Sequence, residues 1–180
     1  MIAVFCARRA ADLVLLRVTN KYLQYSPTSA VFQPAFGAKQ DRPGHQNQVL
    51  ILRSCNDERL CPVTTLTEYL ARTNYPNRDK ALFLTTTPPF RKAAKATVKR
   101  WIISVLQGAG VHASPGSTRA VAASFALAMN VFLHSIMESA DWSRSKTVFR
   151  HYVRLLPVEV LTHIASRTSG NVQDAVLGVL

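Results

Sequence analysis

Apolar positions along the chain recur with two different periods, and the changes between them divide it into three stretches. In IAVFCARRAADLVLLRV, Val4, Phe5, Leu13, Leu15 and Leu16 recur at helical spacing and predict one long first helix, with Asp12 interrupting its apolar face. Between Asn20 and Cys55 the segments KYLQYS, AVFQPAF and QVLILRSC are short and rich in Val, Ile, Leu, Tyr and Phe, and the turn-forming SPTS and GAKQDRPGHQN separate them. They predict three strands of a small antiparallel sheet, with an edge or bulge at Pro34, which has no N–H to give to a ladder. Beyond the sheet the helical period returns. Pro62 opens PVTTLTEYLART at a first helical turn, and 91–107 forms a second helix ended by Gly108 and Gly110. PGSTRAVAASFALAMN and VFLHSIMESA run on as helix, Ser143 or Ser145 caps the segment that ends at Arg154, and Pro157 opens PVEVLTHIAS before a loop and a short final helix. The expected architecture is α+β and mainly helical, with helices packed around a small three-stranded antiparallel sheet.

Length fits this picture. A chain of 180 residues with 48% hydrophobic content buries one substantial core, so a single domain over 1–180 is expected. No apolar run reaches the length of a membrane span, and Met1-Ile-Ala-Val-Phe-Cys has neither the basic start nor the cleavage site of a signal peptide, so an intracellular, soluble protein is expected. Cys6, Cys55 and Cys61 form neither an even disulfide set nor a CxxC pair and read as reduced packing residues.

Charge changes the picture more. Twenty-two Lys and Arg against 10 Asp and Glu leave +12, which suits a polyanionic partner, nucleic acid before an anionic membrane surface. Part of that charge is local: RKAAKATVKR places Arg91, Lys92, Lys95, Lys99 and Arg100 together with no acid among them. A second group, Arg144, Lys146, Arg150 and Arg154, surrounds His151 and Tyr152 in DWSRSKTVFRHYVR. Both groups are candidate phosphate contacts. A glycine-rich phosphate loop, a GxSxG elbow and His or Cys pairs at metal spacing are all missing, and the few acids are scattered. No metal, cofactor or small-molecule substrate is therefore expected.

The order of the remaining residues resembles the catalytic domain of the tyrosine recombinases, the phage-integrase family. ARRAADLVLL resembles its first arginine motif, with Arg9, Asp12 and Leu13 at the matching places, and FGAKQDRPGH resembles the turn that carries its hairpin lysine, here Lys39. GSTRAVAAS resembles the second arginine motif at Arg119, and ADWSRSKTVFRHYVR the closing motif, with Trp142 at the His-or-Trp position and Tyr152 as nucleophile. The match runs from Arg9 to Arg154 in the family's order, and HYVR together with CP before the first helix after the sheet is most similar to the DIRS-type mobile elements of eukaryotes. Two departures stand out. The family's second arginine motif is H-x-x-R, but Gly116 holds the histidine position, with His112 the nearest imidazole before it. Tyr152 also lies one residue beyond the place usual in bacterial members, which His151 occupies.

The resemblance implies a DNA breaking-rejoining fold and a site-specific recombinase or integrase working through a 3′-phosphotyrosyl intermediate on double-stranded DNA. It assigns the phosphate clamp to Arg9 and Arg119, leaving-group protonation to Lys39, a phosphate hydrogen bond to Trp142, and the support of Arg9 to Asp12. It further implies a homotetramer on DNA, 168–180 as a segment exchanged between neighbours, a nuclear location, and a chain without the family's N-terminal DNA-clamp domain. Two other readings compete: a decayed or domesticated copy that only binds DNA, and a helical protein-interaction module whose basic surface is incidental.

Overall fold

The computed structural model describes residues 2–33 and 49–142 together with 145, 146 and 148. The long first helix is not formed. Two short helices, α1 (Ile2–Phe5) and α2 (Ala10–Leu13), take its place, separated by a link in which Ala7 has φ 47°. An alanine in this region costs about 1–3 kcal/mol, and packing compensates for it. Cys6 is buried in the core that holds the sheet, whereas Ala7, one residue later, is buried in a second core with Ala122, Ala123, Ala126, Ile136, Ala140, Trp142 and Val148. A continuous helix would not deliver adjacent side chains to two cores, so the backbone turns between them. The second helix then starts at Arg9, whose N–H donates to the Asp12 carboxylate at 3.0 Å.

The sheet forms as its patterning predicts. Strands β1 (Leu23–Tyr25), β2 (Ser29–Phe32) and β3 (Leu50–Arg53) lie in the order β1-β2-β3, both pairings antiparallel. Leu23 pairs with Phe32, Phe32 with Leu50, and Ala30 with Leu52, and these side chains form the buried face; Ile51 lies on the opposite, solvent-facing side, and Tyr25, on the same face as Leu23, is exposed at the strand end. The Ser26 hydroxyl accepts from the Thr28 and Ser29 N–H groups and shapes the first hairpin. Pro34 and Lys39 lie outside the described residues.

Helix α3 (Pro62–Arg72) has Pro62 in its first turn and sends Val63 and Leu66 into the sheet core. Its N-cap is Cys61, whose Sγ accepts from the Thr64 N–H at 3.4 Å. Burial alone would raise this thiol, but the N–H groups around it hold its pKa below the usual value. Helix α4 (Lys95–Gly108) begins four residues later than its pattern suggested, because 91–94 is tied up in extended pairing. Lys92 bridges to Leu84, the Thr85 N–H donates to the Arg91 carbonyl at 2.8 Å, and the Ala93 N–H to the Phe83 carbonyl at 2.8 Å. At its far end Gly110 adopts φ 74°, where an unbranched backbone without Cβ carries no strain. The apolar run over 115–140 also divides, into α5 (Ser117–Ala128) and α6 (Leu133–Ser139), with Asn130 at φ 60° in the turn between them.

Candidate functional site

Arg119 lies on α5, a helix otherwise lined with Ala122, Ala123 and Ala126 on its buried side, and is only 2% exposed. A guanidinium at such depth needs acceptors or a π face. It has both: Nη2 donates to the Ala140 carbonyl, and the guanidinium carbon stands 4.4 Å from the centre of the Trp142 ring. Two residues assigned to one site from motifs far apart in the chain are thus in contact across the second core. Trp142 is itself buried, so the ring and the guanidinium fix one another.

The turn that presents Trp142 has a second anchor. Asp141 adopts φ 54°, a conformation Asp and Asn enter more readily than most residues, and is buried. Arg8, also buried, places Nη1 3.7 Å from the Asp141 carboxylate. Residues 140–142 are therefore held by one guanidinium from the α1–α2 link and one from α5. Neither Arg8 nor Asp141 was singled out from the sequence, where Arg8 is half of an Arg-Arg pair and Asp141 a single acid. The available signal was the acid directly before Trp142, next to Ala140.

Arg9 is half-buried at the start of α2, and Asp12, also half-buried, binds its backbone N–H. His112 is exposed on the link between α4 and α5, and Gly116 stands just before α5 with an ordinary φ of −73°. A Cβ at Gly116 would meet only the Ser114 hydroxyl, at 3.7 Å, so packing there does not demand glycine. Arg91, Lys92, Lys95, Lys99 and Arg100 are all exposed, and Lys95 and Lys99, four apart on α4, share one face. Lys146 is exposed too. Lys39, Arg144, Arg150, His151, Tyr152, Arg154 and the segment 168–180 lie outside the described residues.

This arrangement of helices around a three-stranded antiparallel sheet is the fold of known recombinases. The chain superposes on the crystal structure of XerA recombinase with a TM-score of 0.66 at 16% identity, covering 92% of this chain and 54% of that one. It superposes on the XerH site-specific recombinase bound to difH substrate, in a pre-cleavage complex, with a TM-score of 0.61 at 19% identity, covering 92% of this chain and 43% of that one. The post-cleavage complex of XerH with palindromic difH gives 0.61 at 18% identity over the same shares. The chain thus spans about half the length of the proteins whose fold it shares. No protein-family model and no curated protein sequence matches it. Among the described residues no helix is long and apolar enough to cross a membrane.

Proposed function

We propose that this chain is a tyrosine-recombinase catalytic domain that breaks and rejoins double-stranded DNA. The observation that carries the reading is the contact between Arg119 and Trp142 inside a fold shared with XerA and XerH. The Tyr152 phenol attacks a backbone phosphorus, a 3′-phosphotyrosyl diester forms, and a 5′-hydroxyl leaves with the proton that Lys39 supplies. The reverse step, with another strand's 5′-hydroxyl, releases the tyrosine. One diester replaces another, so no ATP is consumed. Arg9 and Arg119 stabilise the charge that grows on the non-bridging oxygens, and Trp142 adds its indole N–H. Asp12 positions Arg9 through its backbone. Arg91, Lys92, Lys95, Lys99 and Arg100, with Arg144, Lys146, Arg150 and Arg154, grip flanking phosphates. By family analogy the active form is a tetramer that exchanges 168–180 between neighbours, and the HYVR motif favours a mobile-element origin and a nuclear location.

A second reading, DNA binding without cleavage, draws on two observations. Gly116 stands where the family has histidine, and Arg119 is 2% exposed against the chain's own Ala140 and Trp142, so a phosphate reaches it only after the site opens. A nicked-duplex suicide substrate separates the two. A covalent protein–DNA adduct on a denaturing gel, lost in Tyr152→Phe, is the expected result; salt-sensitive binding with no adduct would leave the binding-only reading, and no binding at all would refute both.

A further inference from the structure

A separate cluster of cations surrounds a cavity of about 370 Å³ where the link after α2 meets the segment before α4. Arg17, Arg78, Lys80 and Lys92 line it with Asp79, over Val14 and Ala81, and none of these seven belongs to the Arg119–Trp142 contact. Its walls are pinned by the backbone. The Leu82 N–H donates to the Leu16 carbonyl at 2.8 Å and the Val18 N–H to the Lys80 carbonyl at 2.9 Å, and the bridges Arg17–Ala81 and Leu84–Lys92 close the two sides.

Two of the five charges are consumed in building it. The Arg78 guanidinium donates to the carbonyls of Asp79 at 2.6 Å, Ala81 at 2.9 Å and Leu82 at 3.1 Å, and to the Thr73 hydroxyl at 3.2 Å. The Asp79 carboxylate accepts the N–H groups of Ala81 at 2.8 Å and Lys92 at 3.2 Å. What remains is three exposed cations, Arg17, Lys80 and Lys92, and no carboxylate among the described residues forms an ion pair with any of them. The Arg17 guanidinium is also directed by the Tyr22 ring, 5.4 Å from its centre. Three like charges held around one concavity repel each other, and an oxyanion placed among them relieves that repulsion while accepting their N–H groups.

We propose that this cavity is a second phosphate-binding site, with Arg17, Lys80 and Lys92 as its ligands. Its oxyanion is a phosphodiester of duplex DNA away from the cleaved bond, or the phosphates of a free polyphosphate. Only the first source rests on the recombinase reading. The test uses the full chain and Arg17→Ala/Lys80→Ala, both exposed positions whose loss leaves the core intact. Inorganic pyrophosphate is titrated in and followed by the amide resonances of Ala81 and Lys92, and duplex DNA binding is measured over a salt series. Saturable shifts in the wild type, at least tenfold weaker in the double variant, are expected. For the DNA source, the slope of log K against log salt falls by about 1 in the variant. Saturable pyrophosphate binding with an unchanged slope assigns the site to free phosphates, and the slope change without pyrophosphate binding assigns it to the DNA backbone. Saturable pyrophosphate binding in a protein that binds no DNA keeps the site and removes the recombinase reading. The absence of both saturable pyrophosphate binding and the change in slope overturns the proposal.

Discussion

The Arg8–Asp141 pair offers a sharp test of how the site is built. Asp141→Asn keeps the size of the side chain and its tolerance of φ 54°, and removes only the charge. Two unit charges about 4 Å apart attract by about 4 kcal/mol at an effective dielectric constant of about 20, which is the relevant regime for a pair with 3.7 Å between its nearest atoms. The pair also costs free energy to desolvate, but the single variant does not recover that cost, because the Arg8 guanidinium stays buried without its carboxylate. The expected loss is therefore about 3 kcal/mol, roughly a hundredfold in the folding equilibrium, or a fall in Tm of about 6–12 °C for a chain of this size. Urea denaturation followed by far-ultraviolet circular dichroism reads it directly.

Stability alone does not isolate the pair, so the measurement is a double-mutant cycle with Arg8→Met. Methionine fills much of the arginine's volume without its charge, and deprives the buried Asp141 carboxylate of this guanidinium in the single variant. If the two groups interact as their positions indicate, Arg8→Met/Asp141→Asn is at least about 2 kcal/mol more stable than the sum of the single losses implies. Additivity within about 0.5 kcal/mol, or an Asp141→Asn protein as stable as the wild type, would refute the assignment of this pair as the anchor of the turn before Trp142.

Three further outcomes are expected. Leu66→Ala, at a fully buried position in the sheet core, costs about 2–5 kcal/mol in the same denaturation assay. Burial pushes the Cys6 thiol up from 9.0 to about 11, so the folded state favours the neutral thiol. The resulting stability is complete below pH 9 and lost as pH rises towards 11, about 2–3 kcal/mol in all. The stability difference between the wild type and Cys6→Ala shrinks over that interval, and a difference independent of pH contradicts the shift. Gly116→His, placed where a Cβ has room, folds normally and increases adduct formation on the nicked duplex at least tenfold; unchanged adduct yield means that the missing imidazole does not limit the reaction.

What the sequence discloses about this protein depends on whether the deciding interaction is local. The strands are legible because Leu23, Ala30, Phe32, Leu50 and Leu52 alternate with less buried positions, and α3 because Pro62 and its apolar spacing act within one turn. The first helix fails for the opposite reason: the turn at Ala7 is imposed by two cores, one receiving Cys6 and the other Ala7, and helical periodicity carries no trace of that demand. The late start of α4 has the same origin, since Lys92 is held by Leu84 across a loop. Motif order brought Arg119 and Trp142 to one site, yet it passed over Arg8, which differs from Arg9 in the sequence only by one position. Their fates diverge because the backbone reverses between α1 and α2: Arg9 caps the second helix, whereas Arg8, beside Ala7, is carried into the core that Trp142 closes. The link that joins the two cores is thus also the element that anchors the Trp142 turn, and a substitution that straightened it, such as one forbidding the positive φ of Ala7, would loosen the packing and the site together. Ala7→Val, which adds both a β-branched side chain at φ 47° and volume at a position 3% exposed, is the variant in which the loss of stability and the loss of Arg8–Asp141 coupling should coincide.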